Sequence, residues 1–445
     1  MPAQPPDSRV PRRVWGATLF SALARQWGAL CTFLALAVLA RTLPPAEFGR
    51  FTFWVAMLAF LDVLVDCGTS SVAVQRGAND PAAFAAALSA GRRVRAGTAL
   101  LGAVCVGLAA GWMGEDELGW VLLAALGPFT RVPEMSAVVF QRDIAWGRPL
   151  LLRALGSTAR LLLILGLSTR AELGFGPFLL AHSASLALGN VVLHFAARPR
   201  LPPRAPRPGA AELHGLLASA LPLALTGLAQ QAYLYADNLF VRAWAGPEEL
   251  GRYNAAVRVF LWLAFFAAFA TTSALPWLAR RHLQGELGPA AARLALPLYL
   301  LACALAGALA PWSAELLRFA FGPGFEAAGP SLRWLFFALV AVALGSVFLT
   351  SVIAAGRTRA ALGIALLALA VNLAGNALLV PRLGAEGAAL VTLLTEGTVA
   401  LAALCVLRTL GARPLAAPAR FLLGPVLLAL TWLGSRVLLS PLLAP

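Results

Sequence analysis

The chain has 445 residues, of which 60% are hydrophobic and only 12% are charged, and its mean hydropathy is +0.79. Soluble domains carry about 25% charged residues, so this composition excludes an ordinary soluble protein and predicts that lipid surrounds most of the chain. The net charge of +15 comes from arginines spread over short loops rather than gathered on one face, which argues against a nucleic-acid-binding protein.

Apolar windows of about 20 residues recur along the whole sequence and predict roughly thirteen transmembrane helices. The basic N-terminus runs into the first window without a cleavage site of small residues, so we interpret this window as a spanning helix rather than a secretory signal. The last window could form two short helices around Gly434, which would give fourteen. The predicted spans are 16–40, 51–74, 96–114, 119–140, 150–168, 173–196, 215–241, 253–278, 289–311, 330–355, 360–380, 385–407 and 420–440.

The loops between these spans alternate in charge. With a cytoplasmic N-terminus, the loops on the inner side hold most of the arginines, including Arg92, Arg93 and Arg95, which precede the span at 96–114. The outer loops hold most of the loop acids, such as Glu115 and Glu117. This asymmetry follows the positive-inside rule and predicts a multi-pass membrane protein with its N-terminus in the cytoplasm.

One short motif occurs twice, as P-A-E-F-G-R-F at 45–51 and as P-E-E-L-G-R-Y at 247–253. Six predicted spans separate the copies, so both lie on the outer side and predict a parallel internal repeat. We interpret each copy as the corner of a helical hairpin, in which Pro and Gly stop the helices while Glu and Arg hold the turn. Its charged residues Glu47, Arg50, Glu248 and Arg252 are therefore not predicted to be site residues.

A stretch rich in Pro and Arg separates the two copies of the repeat, and proline excludes it from a helix interior. The predicted domains are an N-terminal six-helix bundle at 1–197, a basic cytoplasmic linker at 198–214, a C-terminal six-helix bundle at 215–408 and a transmembrane extension at 409–445.

Charged side chains inside predicted spans are the candidate functional residues, because each costs about 2.5–3.5 kcal/mol at a helix centre. Arg153 and Arg160 share one face of a span without an acid on that helix, which predicts an unpaired cationic stripe. This stripe would line a cavity, with snorkelling of the side chains to the interface as the alternative. Arg131 and Glu134 are spaced to neutralise each other. Asp62 and Asp66 share a face and are candidates for a coupling-ion site, with hydrogen bonding between helices as the alternative.

The seventh span holds a second cluster, in which Gln230, Tyr233 and Asp237 share a face. It predicts substrate or ion handling, with a salt bridge from Asp237 to Arg242 or Arg258 as the alternative. No phosphate-binding glycine loop, metal motif or nucleophile elbow is present in the sequence, so we expect neither an enzyme nor a cofactor, and no metal site.

Several segments resemble one known family. L-A-R-T-L-P-P-A-E-F-G-R-F at 39–51 and L-D-V-L-V-D-C-G-T-S-S at 61–71 resemble the start of polysaccharide transporters, the Wzx-type flippases of O-antigen and lipid-linked oligosaccharides. The segments 220–240, 246–259 and 371–390 are similar to later spans of that family. The resemblance covers roughly residues 16–408, and it implies the fold of the multidrug/oligosaccharidyl-lipid/polysaccharide (MOP) exporters, which include the MATE transporters. That fold has two six-helix bundles and usually fourteen spans.

The resemblance further implies a function. The substrate would be a polyprenyl-diphosphate-linked oligosaccharide of O-antigen, capsule or exopolysaccharide, turned from the cytoplasmic to the outer leaflet by alternating access, with H⁺ or Na⁺ as a possible coupling ion. Arg25, Arg153, Arg160 and Arg258 would hold the diphosphate, since guanidinium groups bind phosphate through paired hydrogen bonds. A polysaccharide polymerase and glycosyltransferases would be partners, and the location would be the bacterial plasma membrane (the inner membrane). The alternatives are a cation-coupled multidrug exporter of the same fold and a non-transporting membrane scaffold for polysaccharide biosynthesis.

Overall fold

The structure is a computed structural model that describes residues 12–77, 80–143, 145, 147–170, 173–203, 208–414 and 418–443. In this part of the chain it consists of α-helices, short 3₁₀ turns and loops, without a β-strand. The basic residues before position 12 and the middle of the predicted linker, 204–207, lie outside the described residues.

The α-helices follow one another with short connections. In chain order they are α1 (Arg12–Thr42), α2 (Pro45–Asp66), α3 (Thr69–Gly77), α4 (Pro81–Trp112), α5 (Leu118–Ala125), α6 (Arg131–Glu134), α7 (Val138–Arg142), α8 (Gly147–Ser168), α9 (Phe175–Ala197), α10 (Ala210–Leu283), α11 (Leu287–Leu309), α12 (Ser313–Phe321), α13 (Gly329–Ala354), α14 (Thr358–Thr409), α15 (Pro418–Phe421) and α16 (Leu423–Leu443).

Eight of the described helical segments are long and apolar enough to span a membrane, among them Pro81–Trp112 and Glu326–Ala354. Two shorter apolar helices, Gln26–Thr42 and Leu423–Val437, coincide with the first and last predicted spans. The prediction of an all-α, multi-pass membrane protein is therefore confirmed, while the full number of thirteen or fourteen spans stays a prediction.

Two of these helical segments, α10 and α14, each consist of two helices that meet at a glycine with a non-helical backbone, where the sequence predicted a loop between spans. The helix α10 is kinked at Gly246 (φ 84°, ψ 175°) and α14 is kinked at Gly384 (φ 56°, ψ −137°). Glycine adopts such positive φ angles without a steric cost, so the chain changes direction at one residue. The predicted spans on either side of each glycine are thus separate helices with almost no loop between them.

The fourth predicted span, 119–140, is broken into short pieces. Between α5 and α7 the backbone passes through 3₁₀ turns at Gly127–Thr130 and Met135–Ala137, with α6 between them. Pro128 and Pro133 lack the N–H that a continuous helix needs, which explains the break. Irregular backbone at membrane depth is tolerated where protein buries it, and Glu134 in this stretch is buried.

The chain forms two compact units. The first comprises the described residues of Met1–Leu39 and Trp54–Leu228, and the second those of Ala40–Phe53 and Ala229–Pro445. The N-terminal turns of α2 therefore belong to the second unit, and the remainder of α2 belongs to the first. The predicted domain boundaries at 198–214 and 409 stay predictions.

Each unit has its own apolar core. In the first unit Phe84 and Phe140 are buried in one cluster, and in the second unit Leu278, Phe348 and Leu407 are buried in another. Within the second unit α13 packs along α14, and α11 packs against α13 and α16. Large apolar side chains also remain exposed along the helices, such as those of Leu100, Leu101, Val104 and Leu108 on α4, as expected for surfaces that face lipid.

Candidate functional site

A buried cluster of charged side chains lies in the first unit, around Arg95 of α4. Arg95 is fully buried, and its guanidinium donates to the carboxylates of Asp66 and Glu134 (Nη1 to Oε2, 3.2 Å). It also donates to the hydroxyls of Ser70 (2.6 Å) and Thr69 (3.0 Å). Each nitrogen of this buried cation has an acceptor, which is the condition under which a charge can be buried.

Asp62 and Asp66, the two aspartates that were predicted to couple an ion, each accept hydrogen bonds from an arginine. Asp62 accepts two parallel hydrogen bonds from Arg131, each 3.1 Å long, while Arg131 lies 3.7 Å from Glu134. The predicted pairing of Arg131 with Glu134 is therefore secondary to its forked pairing with Asp62. Asp66 accepts from Arg95 and from Ser70 Oγ (2.6 Å). Because these carboxylates are already compensated by arginines, their role in ion coupling stays a prediction.

The two arginines of α8 differ in environment. The prediction of an unpaired stripe is wrong for Arg153, because its Nη2 lies 3.5 Å from Glu134 Oε1, although its side chain remains 61% exposed. Arg160 is only 8% exposed, donates to Thr32 Oγ1 at 2.7 Å, and has no carboxylate partner among the described residues. A hydroxyl satisfies one donor but does not neutralise the charge, so Arg160 remains a buried cation without a compensating anion.

Two predicted site residues cannot be placed in either cluster. Arg25 lies in α1 and Gln230 in α10, but their side chains lie outside the described residues.

A second polar network is buried in the second unit. Asp237 of α10 accepts a hydrogen bond from the hydroxyl of Tyr253 (2.6 Å) and from the side-chain amide of Asn238 (3.0 Å). Asn254 donates to Asn238 Oδ1 (2.7 Å) and to Thr52 Oγ1 (2.9 Å). These five side chains are at most 9% exposed. The described partners of Asp237 are thus uncharged, unlike the salt bridge to Arg242 or Arg258 that was considered as the alternative.

The other predicted residues of the second unit lie apart from this network. Tyr233 donates a hydrogen bond to Glu396 of α14. Arg258 of α10 has a buried Nε without a hydrogen-bond partner among the described residues. The structure therefore joins Tyr233 to an acid that was not among the predicted site residues, and it leaves Arg258 a half-buried cation.

The two copies of the repeated motif contact each other within the second unit. A Cβ added to Gly49 would overlap the carbonyl oxygen of Pro247, and one added to Gly251 would overlap that of Pro45. In each case the added Cβ would lie only 2.8 Å from the backbone nitrogen of the opposite glycine. The proposed role of Gly in stopping the helices is therefore wrong: both glycines lie inside helices and permit a backbone crossing. The Glu–Arg pairs of each copy do form, at 2.9 Å for Arg50–Glu47 and 2.6 Å for Arg252–Glu248.

The network continues directly from this crossing. Thr52 and Asn254, which bond to each other, are 202 positions apart, the same separation as between the two motifs. They are therefore equivalent residues, each following its own copy. The whole-chain parallel repeat stays a prediction, but the two motifs meet reciprocally at this point.

Sequence reasoning missed Arg95 as a site residue. It was assigned to an inner loop because hydropathy falls at 92–95, yet α4 begins at Pro81, where Asp80 caps its first turn. The signal that could have extended the helix is the spacing of Phe84, Leu88, Gly91 and Arg95, which places all four on one helical face. Tyr253, Asn254 and Thr52 were missed because Tyr253 ends one copy of a motif that was interpreted as a turn, while Thr52 and Asn254 directly follow its two copies.

The described part of the chain contains no candidate metal site, because no group of three or more His, Cys, Asp or Glu side chains in it is arranged to hold an ion.

Comparison with solved structures relates the fold to membrane transporters. The lipid II flippase MurJ in an inward closed conformation matches with a TM-score of 0.73 at 14% identity, covering 95% of this chain and 99% of that chain. An inward-facing MATE multidrug resistance transporter of the MOP superfamily matches with a TM-score of 0.62 at 16% identity, over 91% and 95% of the chains. A MOP superfamily transporter from Pyrococcus furiosus matches with a TM-score of 0.59 at 14% identity, over 93% and 96%. The predicted MOP fold is confirmed.

At the level of sequence, a search of curated proteins finds no match to the chain. A family model described as polysaccharide biosynthesis protein matches residues 14–282, more than half of the chain, and includes both copies of the repeated motif. The chain therefore belongs to the polysaccharide biosynthesis protein family, as the resemblance of its motifs predicted.

Proposed function

We propose that this protein is a flippase that moves a polyprenyl-diphosphate-linked oligosaccharide from the cytoplasmic to the outer leaflet by alternating access. The proposal is supported by the family, by a fold shared with a lipid II flippase and by the buried arginines. The glycan is the repeat unit of an O-antigen, capsule or exopolysaccharide. The protein works as a transporter in the bacterial plasma membrane, alongside a polymerase and glycosyltransferases, and not as an enzyme.

The observation that carries the proposal is Arg160. Burying a cation without an anion costs several kcal/mol, and its described partner, Thr32, is neutral. A diphosphate supplies the missing charge, because guanidinium–phosphate hydrogen bonds are charge-assisted and often paired. Arg258 in the second unit offers a buried donor in the same way.

The acids best suited to couple transport to an ion gradient are those whose negative charge is not compensated by an arginine. Asp237 and Glu396 have tyrosine hydroxyls as partners, so their negative charge is available to H⁺ or Na⁺. Asp62 and Asp66 are less suited to this role because each holds an arginine. The alternative of a cation-coupled drug exporter would use Asp62, Asp66 and Asp237 to bind a cationic drug. It is weakened because two of these acids, Asp62 and Asp66, are already paired with arginines.

The test uses purified full-length protein in liposomes that contain a fluorescent polyprenyl-diphosphate oligosaccharide. Flipping is measured as the fraction of fluorophore that an impermeant reductant reaches with time. We expect Arg160→Gln combined with Arg258→Gln to reduce the rate by at least about tenfold, since each lost charge-assisted hydrogen bond costs about 1.5–3 kcal/mol.

Arg333→Gln is the matched control, because Arg333 is exposed on α13, and its flipping rate should equal that of the unchanged protein. Equal rates for the double variant and the control would reject the role of the arginines. If the unchanged protein does not flip the substrate in liposomes that contain no other protein, the scaffold alternative is favoured. If it does flip the substrate there, the scaffold alternative is excluded.

A further inference from the structure

A polar cavity lies at one end of the first unit, between the N-terminal part of α4 and the C-terminal end of α9. Its volume is about 640 Å³, within the range of about 300–1,000 Å³ that is usual for ligand sites. Ser89 and Arg92 of α4 line one side, His194 and Arg198 line the other, and Pro202 and Pro203 lie at its margin. None of these residues belongs to the clusters described above.

The charge of this cavity has one sign. Two arginines line it, and no aspartate or glutamate does. The neighbouring cavity on the far side of Pro202 contrasts with it, because there Arg142 and Arg200 share the carboxylate of Asp143 at 2.9 and 3.8 Å. The lining of this cavity therefore presents the positive charges of Arg92 and Arg198 without an acidic side chain among the lining residues.

Hydrogen bonds hold these side chains in place. His194 Nδ1 lies 2.9 Å from the carbonyl oxygen of Pro133, which can only accept, so Nδ1 carries the proton. His194 Nε2 then accepts a hydrogen bond from Arg198 Nε at 3.4 Å. The buried hydroxyl of Ser136 lies 2.8 Å from both His194 Nδ1 and Arg92 Nη2 and so links these two side chains. Arg198 also stacks over the Phe195 ring at 4.3 Å. Its two Nη groups have no hydrogen-bond partner among the described residues.

An apolar stripe leads along α9 to this cavity. Leu188, Val192 and Phe195 are 62%, 39% and 53% exposed, and their spacing places them on one helical face that ends next to Arg198. Acyl chains can lie along such a face while a headgroup reaches the arginines. Basic pockets between helices at the cytoplasmic side are typical sites for anionic lipid headgroups, and this end of α4 and α9 is the predicted cytoplasmic end.

We propose that the cavity lined by Arg92, His194 and Arg198 binds the phosphate group of an anionic phospholipid of the surrounding leaflet. The forked guanidinium groups bind the phosphate oxygens, and the stripe on α9 holds an acyl chain. Free phosphate has the same oxyanion chemistry but would not use the stripe. The inference does not rest on the proposed transport, because it concerns a site within one unit and is tested by binding alone.

The experiment measures binding to the full-length protein in detergent by microscale thermophoresis. The probes are dioctanoyl-phosphatidylglycerol, dioctanoyl-phosphatidylcholine and sodium phosphate. We expect phosphatidylglycerol to bind at least about tenfold more tightly than either other probe, and Arg92→Gln combined with Arg198→Gln to weaken it by about tenfold or more. Free phosphate that binds as tightly as phosphatidylglycerol would overturn the assignment to a lipid.

Two further variants keep the test decisive. Ser89→Asp places a negative charge in the cavity without removing a hydrogen bond from the His194 network, and it should also abolish binding. Arg280→Gln combined with Arg357→Gln removes the same charge from exposed positions of the second unit and should leave the affinity unchanged. Retained affinity in Ser89→Asp, or equal loss in the Arg280 and Arg357 control, would overturn the proposal. Elution volume and thermal unfolding confirm that each variant is folded.

Discussion

At the residue scale, the buried arginines fall into two groups according to what compensates their charge. Arg95 and Arg131 have carboxylate partners, Asp66, Glu134 and Asp62, in forked or shared arrangements. Arg160, in contrast, has a hydroxyl partner. Compensated arginines stabilise one arrangement of helices, whereas an uncompensated one favours a ligand that brings negative charge. We therefore expect a structural role for Arg95, whereas the proposed ligand-binding role belongs to Arg160.

This distinction predicts that Arg95→Gln destabilises the protein strongly. The change leaves Glu134 buried without one of its cations and removes the link to Asp66, at a cost of about 3–5 kcal/mol, as for other broken buried pairs. Thermal unfolding in detergent should show the loss. Arg93→Gln, two positions away and exposed on the same helix, should change the unfolding temperature little.

Adding Asp66→Asn to Arg95→Gln should recover part of the loss, because it neutralises a carboxylate that no longer has its partner. An Arg95→Gln protein as stable as Arg93→Gln would show that the cluster does not hold α2 and α4 together.

At the element scale, the crossing of α2 and α10 is decided by Gly49 and Gly251. Each helix presents a glycine to the carbonyl of a proline on the other, Pro247 or Pro45. Small residues allow such close approach of helices in membranes, where packing rather than the hydrophobic effect drives association. The crossing in turn brings Thr52 and Asn254 within 2.9 Å of each other, so the polar network of Asp237 depends on these two glycines.

Gly49→Ala and Gly251→Ala should each destabilise the second unit. The added methyl group meets backbone, which cannot rotate away, so the helices must separate, at a cost of about 1–3 kcal/mol or more. Thermal unfolding and the yield of monodisperse protein measure the effect.

Gly363→Ala in α14 is the matched control, since a Cβ there meets nothing within 4 Å and should stabilise the helix by up to about 1 kcal/mol. If both Gly49→Ala and Gly363→Ala raised the unfolding temperature, the claim that the helix crossing requires glycine at position 49 would be wrong.

At the scale of the whole molecule, arginine carries all of the positive charge, and its distribution over the loops sets the predicted orientation. Arg92, Arg93 and Arg95 all lie inside α4 rather than in a loop, but they remain in the N-terminal half of this helix, which begins at the predicted inner side. The orientation with a cytoplasmic N-terminus therefore stays the prediction.

Cysteine labelling tests this orientation. In a background without the five native cysteines, Gln284→Cys lies at a predicted inner loop and Phe319→Cys at a predicted outer one, and both positions are exposed. An impermeant maleimide added to cells whose plasma membrane is accessible should label the cysteine at 319 and spare that at 284 until the membrane is permeabilised. The reverse pattern would invert the topology.

The sequence by itself determined the class and the family of this protein. Composition excluded a soluble chain, apolar windows located the membrane helices, and the order of motifs such as P-A-E-F-G-R-F identified the family. These properties are local or additive along the chain, so they can be predicted without knowing which helices are neighbours. The prediction that Asp62, Asp237 and Arg160 lie inside the membrane came from the same windows.

Only the tertiary structure decided what those residues contact. Arg131 pairs with Asp62 of another helix rather than with Glu134 on its own, and Arg95, hidden by a local fall in hydropathy, is the buried centre of its cluster. Gly49 serves a crossing rather than a turn. Partners of this kind come from helices far apart in sequence, and their relative rotation and depth are set by packing. A window of hydropathy averages over all faces of a helix and therefore contains no information about the face on which a charge finds its partner.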